Sequence, residues 1–337
     1  MNKKLKLYTI LIISFSMLAW WGVLFFTSTR EQQINYYWQV AMGLSALLFA
    51  GIGISTAAKW GWFKSGVGRA ILFISAGLIM WGLGQLGWSY YLFADPGVEA
   101  VPSHIPDYIY FTALPLWFVG ILMLSKATGA RYGIRKTSGK ILVGLIAAIM
   151  SLLSYYILVD VARGGIDYFS QPFLDTFFDL GYSIGDAILL TIVFAIFALS
   201  WKVLGGRFKR PIVTILIAFV FLFFADFAYS YTNGKGVYFN GNIADLFFFL
   251  MVCTFGLGVG MLDPGHVRKK KVSDKPVAQE APAPAELKAE ESPVAPIETT
   301  AEADAELVQT PQETPDFLKV NPVAPYANPH DNSEKEN

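Results

Sequence analysis

Pro211-Ile-Val-Thr-Ile-Leu-Ile-Ala-Phe-Val-Phe-Leu-Phe-Phe-Ala-Asp226-Phe-Ala-Tyr-Ser-Tyr-Thr232 is a run of 22 residues with one charged side chain. It is apolar all round, whereas a water-soluble helix of that length keeps one polar face. Seven further runs share the character: Leu5–Thr27, Trp38–Ala58, Val67–Phe93, Tyr108–Ser125, Ile141–Val159, Thr176–Trp201 and Asn242–Leu262. Each approaches or exceeds the roughly 20 residues an α-helix needs to cross the hydrocarbon core of a bilayer. Helix is the required state there, because no water is present to satisfy backbone groups. The alternation of barrel strands is missing. The expected fold is therefore an all-α membrane protein of eight transmembrane helices within residues 1–262.

Charge divides the 337-residue chain in two. The formal net charge is zero, yet 15 of the 26 acidic residues lie between Asp263 and Glu336. Cations mark one side of the helices. Lys3, Lys4 and Lys6 precede the first; Lys59, Lys64 and Arg69 follow the second. Lys126, Arg131, Arg135, Lys136 and Lys140 follow the fourth, and Lys202, Arg207, Lys209 and Arg210 the sixth. Arg268 to Lys271 close the series. The opposite connections hold only Arg30, Arg163 and Lys235. That asymmetry predicts the cell membrane with both termini cytoplasmic. The first apolar stretch is longer than a signal-peptide core and lacks a small-x-small site, so it reads as a retained helix.

Two stretches repeat. Gln85-Leu-Gly-Trp-Ser-Tyr90 aligns with Asp226-Phe-Ala-Tyr-Ser-Tyr231, and Ile105–Leu124 aligns without gaps to Ile243–Leu262. The second alignment pairs Asp107 with Asp245, Phe111 with Phe249 and Gly120 with Gly258. A four-plus-four duplication follows, with halves of about 1–126 and 139–262. An even number of spans per half leaves both in one orientation, related by an axis along the membrane normal.

Charges within lipid are costly and need an account. Asp107 and Asp245 open the fourth and eighth spans, and Asp226 lies near the outer end of the seventh. Asp175, Asp179 and Asp186 share one face of the sixth, spaced four and seven apart. Gln85 holds the place of Asp226 in the other half. Trp88, Tyr90, Tyr91, Tyr108, Tyr110, Tyr182, Tyr229 and Tyr231 surround them. Most of these aromatic residues read as an interfacial belt. For Asp186 and Asp226, a structural hydrogen bond and ligand binding are both open. The binding hypothesis draws Gln85, Asp107, Asp179, Asp186, Asp226, Asp245, Tyr110, Tyr182 and Tyr229 into one polar cavity facing the exterior. No Lys or Arg accompanies them, so a cation, a proton or a hydroxyl-rich ligand fits better than an anion.

Ile105-Pro-Asp-Tyr-Ile-Tyr-Phe-Thr-Ala-Leu-Pro-Leu116, Leu180-Gly-Tyr-Ser-Ile-Gly-Asp-Ala-Ile-Leu-Leu190 and Phe224-Ala-Asp-Phe-Ala-Tyr229 carry a resemblance. The chain resembles the eight-helix membrane sensor module found ahead of GGDEF, GAF or histidine kinase domains in prokaryotic signalling proteins. Asp107, Tyr110, Gly185-Asp186 and Ala225-Asp226 fit that pattern. Leu114 stands where the family has Tyr before Pro115, and Ser183 replaces a proline. The resemblance implies a sensory function, but no output domain follows Leu262, so no second-messenger synthesis is carried over. A weaker likeness is to the eight-helix lysoplasmalogenase family, which would assign Asp186 and Asp226 to lipid hydrolysis.

Residues 263–337 are rich in Pro, Ala and Glu and read as a disordered cytoplasmic tail, unable to offset backbone entropy by apolar burial. Phe317, Leu318 and Val320 form a candidate docking motif for a cytoplasmic signalling protein. The lone Cys253 excludes an intrachain disulfide, and no Cys or His cluster has metal-ligand spacing. No phosphate loop, nucleophile elbow or nucleic-acid patch occurs, so no cofactor, metal or nucleic acid is expected. The partners expected are the lipid bilayer and that signalling protein, with the oligomeric state open, a homodimer included. The leading function is a non-enzymatic sensory or ligand-binding module. A lipid hydrolase and a small-solute or cation transporter are the alternatives.

Overall fold

A computed structural model describes residues 2–27, 32–94, 105–127, 136–162, 164–165, 172–200 and 208–264, with only the backbone described at Ala127, Asp179, Leu180 and Ser200. Eight helices follow one another: α1 (Lys3–Phe26), α2 (Gln33–Lys59), α3 (Gly66–Ala94), α4 (Ile105–Ala127), α5 (Thr137–Ser154), α6 (Phe173–Ser200), α7 (Lys209–Gly234) and α8 (Ile243–Met261). A 3-10 turn, Trp62–Lys64, separates α2 from α3, and a π-helical segment, Tyr155–Val161, continues α5. No strand occurs among the described residues. All eight helices are long and apolar enough to cross a membrane. They belong to one compact unit, Met1–Val277. Residues 265–337 of the tail, with Phe317, Leu318 and Val320, lie outside the described residues.

Hydrogen bonds give the relative directions of the helices. Lys3 at the start of α1 donates to the Met261 carbonyl at the end of α8, and Trp21 near the other end donates to Asn242 O, so α1 and α8 are antiparallel. Asn35 donates to Asn240 O while Lys59 meets Asp263, so α2 runs parallel to α8. Besides its sequence neighbours α1 and α3, α2 packs on α8; α4 packs on α3 and α6; α6 packs on α5 and α7.

Glycines allow these approaches. A Cβ added to Gly120 would lie 2.9 Å from the Ile74 side chain and 3.1 Å from its backbone nitrogen. One added to Gly258 would lie 2.5 Å and 3.1 Å from the same atoms of Ile215. Small residues at such crossings let helix backbones close together where no water drives association. Two buried tryptophans tie helices by their ring N–H: Trp38 donates to Met17 O and Trp117 to Ile74 O, each at 3.2 Å. Large side chains such as Ile12, Phe15, Leu152 and Phe173 remain exposed on the outside of the bundle.

The C-terminus of α8 is clamped. Its last carbonyls have no donors within the helix. Lys3 Nζ supplies one to Met261 O at 2.8 Å, and Trp60 Nε1 supplies another to Leu262 O at 2.7 Å. Asp263, at the first position of the tail, is buried, 2.6 Å from Lys59 Nζ and 3.7 Å from Lys6 Nζ. Lys6 is itself buried and donates to Thr56 Oγ1.

Candidate functional site

A cavity of about 550 Å³ occupies the end of the bundle where α2, α4, α6 and α8 begin and α3 and α7 finish. Of the nine residues the sequence singles out, eight line it: Gln85, Asp107, Tyr110, Tyr182, Asp186, Asp226, Tyr229 and Asp245. The ninth, Asp179, has its side chain outside the described residues. Asp175, the first acid of the α6 series, is also in the wall. Antiparallel packing brings these residues together, since it places the late part of α3 and α7 beside the early part of α4, α6 and α8.

Asp245 is the best-defined of the carboxylates. Asn242 caps α8, its side-chain oxygen accepting from the N–H groups of Ala244 and Asp245, as a helix start requires. Gly241 adopts φ +91°, a left-handed backbone that suits glycine, and its N–H donates to Asp245 Oδ2 at 2.6 Å. Gln39 Nε2 donates to the same oxygen at 2.5 Å, and the Tyr238 hydroxyl to Oδ1 at 3.2 Å. Three donors thus meet one buried carboxylate, as burial of a charge demands. Tyr238 lies in the connection before α8. Burial, and then the adjacent Asp245 charge, hold its hydroxyl well above the usual tyrosine range.

A chain of hydrogen bonds leads from Asp245 across the cavity. Gln39 Oε1 accepts from Gln85 Nε2 at 2.6 Å, and Gln85 Oε1 accepts from the Tyr110 hydroxyl at 2.6 Å. Gly84 permits the last contact, because a Cβ there would lie 2.8 Å from the Tyr110 ring. On α6, Tyr182 donates to the Asp107 backbone oxygen at 3.1 Å and stands within electrostatic reach of Asp107, Asp226 and Asp186. Asp186 is buried; Asp107 and Asp226 are half-buried. Among the described residues, no lysine or arginine lines the cavity. Among the described residues, no three His, Cys, Asp or Glu side chains are grouped to hold a metal ion.

Aromatic rings complete the wall, and here the belt expected from the sequence divides. Trp88, Tyr110, Tyr182 and Tyr229 line the cavity, whereas Tyr90, Tyr108 and Tyr231 are exposed outside it. Trp81, Trp117, Phe178 and Phe248 join from helix interiors. The sequence reading omitted Gln39 and Tyr238. Gln39 has a visible signal, a polar side chain early in an apolar run; Tyr238 has none, since it sits in a connection.

Comparison with protein-family models, with curated proteins and with solved structures yields no match in any of the three.

Proposed function

We propose that the chain is a multi-pass protein of the cell membrane with both termini in the cytoplasm. Its two four-helix halves enclose an outward-facing binding cavity, and it acts as a non-enzymatic sensory module that signals through its tail. The carrying observation is the cavity itself, where four helices bring carboxylates and tyrosines together at the end opposite the lysine-rich N-terminus. The cation asymmetry of the connections supports the outward direction.

Duplication is supported by packing. Gly120 meets Ile74 as Gly258 meets Ile215; the two glycines match in the gapless alignment, and the two isoleucines stand 141 residues apart, the same offset as Gln85 from Asp226. The contact of α2 with α8 has its counterpart in that of α6 with α4, as a two-fold relation between halves demands. The sensor resemblance agrees, since Asp107, Tyr110, Asp186 and Asp226 carry it and all four line the cavity. A route to the tail also exists. The helix α8 holds Asp245 in the cavity at one end and the clamped Met261–Asp263 segment at the other.

Covalent filling of the cavity tests this reading. Ser230→Cys places a thiol in the wall, and the native Cys253 is buried. A membrane-impermeant, charged methanethiosulfonate added outside intact cells should label Ser230→Cys and alter protease cleavage of the tail beyond Lys271. Absence of labelling removes the outward cavity; labelling without any change at the tail removes the sensor. A transporter is the second reading, favoured by a cavity between halves and by the π-helical segment that puts Leu158 in its wall. Solute flux in proteoliposomes selects it.

A further inference from the structure

We infer that the cavity is built for an organic cation, an amine or quaternary ammonium compound held by Asp186 and Asp226 and enclosed by aromatic rings. This rests on the outward-cavity reading and names the ligand class for it.

The first ground is the imbalance of donors and acceptors. The amide nitrogens of Gln39 and Gln85 and the hydroxyls of Tyr110, Tyr182 and Tyr238 all donate to partners within the protein. Five carboxylates, from Asp107, Asp175, Asp186, Asp226 and Asp245, line the same hollow. A wall that carries five carboxylates and, among the described residues, no lysine or arginine is complementary to a ligand that donates and is positive. An anion would meet repulsion from every side.

The second ground separates an organic cation from a metal ion. No three of the described carboxylates are grouped to hold one metal ion. Their charge is spread around about 550 Å³, a volume typical of sites for small organic ligands. The third ground is the aromatic wall. Trp81, Trp88 and Trp117 line the cavity with Tyr182 and Tyr229, and the faces of such rings attract ammonium groups. Asp186 and Asp226 stand together within electrostatic reach of Tyr182, and that side of the cavity, where two carboxylates and a ring meet, is where the cation docks.

The test uses the full-length chain in lipid nanodiscs with spermidine, benzyltrimethylammonium, glucose, sodium chloride and calcium chloride as probes. The readouts are tryptophan fluorescence and thermal unfolding. At least one of the two organic cations should saturate and raise the unfolding temperature. Asp226→Asn should weaken that binding about tenfold or more, as loss of a charged partner does, and Asp226→Glu should recover part of it. Asp226 is half-buried, so its variants are the primary ones; Asp186→Asn repeats the test if it folds. Saturation by glucose or calcium alone overturns the ligand class while leaving a binding cavity. Saturation by neither organic cation overturns it as well, even where Ser230→Cys labels from outside. Failure of the cavity itself reads differently, since Ser230→Cys then stays unlabelled.

Discussion

Trp117 and Phe255 stack on one another, with ring centroids 5.2 Å apart and planes 25° from parallel. Trp117 belongs to α4 and Phe255 to α8, and the gapless alignment of those helices places the two rings at the same position. Phe219 presents its edge to both, at 6.1 Å and 5.0 Å. All three rings are buried. A pseudo-two-fold axis between the proposed halves would pass through this pair, of which Trp117 also lines the cavity. The three rings form an aromatic plug, with the polar cavity toward one end of the bundle and the buried Lys6 and Asp263 at the other.

Packing around that plug leaves no room for extra atoms. A Cβ at Gly77 would lie 2.4 Å from the Trp117 ring, and those at Gly120 and Gly258 would press on Ile74 and Ile215. Gly77→Ala, Gly120→Ala and Gly258→Ala should each destabilise the protein by about 1–3 kcal/mol through overpacking. Gly51→Ala meets nothing within 4 Å and should be neutral or slightly stabilising, because alanine favours helix. Thermal unfolding in detergent distinguishes the two groups, and a neutral Gly258→Ala would contradict the packing described.

Gln39 joins two parts of the polar network, donating to Asp245 and accepting from Gln85. Gln39→Leu keeps the size but removes a donor from a buried carboxylate and an acceptor from a buried amide. Leaving such groups unsatisfied costs about 1–3 kcal/mol each. The variant should unfold at a lower temperature, and Gln85→Leu on top of it should add less than it does alone, since the two share one bond. Full additivity in a double-mutant cycle would show that the chain of hydrogen bonds is not formed.

How far the sequence carries depends on what marks a residue. The spans are legible because lipid requires long unbroken apolar stretches, so composition alone locates all eight. The carboxylates of the cavity are legible because a charge inside such a run is rare. Direction is another matter: Trp88 and Tyr90 look alike in sequence, yet Trp88 lines the cavity and Tyr90 is exposed. Tyr238 is hidden because its role comes from the turn that Gly241 allows, not from any periodicity. The π-helical segment Tyr155–Val161 contains no Gly or Pro to announce it. Asp263 reads as the first residue of an acidic tail, and only its pairing with lysines of α1 and α2 reveals that it belongs to the bundle.

Tyr238 makes stability depend on alkaline pH. Its folded-state value is raised above the ordinary tyrosine value of 10.0, first by burial and then by Asp245. The folded form therefore keeps a proton that the unfolded chain releases, and this contribution is complete below about pH 10 and lost as pH rises beyond it. Unfolding temperature should fall above that pH in the native protein, and less steeply in Tyr238→Phe. The comparison is made at matched ionic strength, and equal slopes for the two proteins would show that the buried site does not hold the hydroxyl protonated.

Asp263 forms ion pairs with one buried and one half-exposed lysine, and the asymmetry of that cluster predicts unequal mutants. Asp263→Asn leaves Lys6 buried without its counter-charge and frees Lys59, a change that typically costs about 3–5 kcal/mol when a buried pair is broken on one side. Lys6→Met removes the buried cation itself and keeps the stronger Lys59 contact at 2.6 Å, so its cost should be clearly smaller. In the Lys6→Met background, Asp263→Asn should therefore lose much of its effect. Chaotrope unfolding of the two single variants and the double variant measures this. The clamp also fixes where the tail leaves α8, so Asp263→Asn should speed protease cleavage near Arg268–Lys271 at temperatures where the bundle is still folded. Cleavage unchanged in a folded Asp263→Asn protein would mean that Lys3 and Trp60, through the carbonyls of Met261 and Leu262, hold the end of α8 without it.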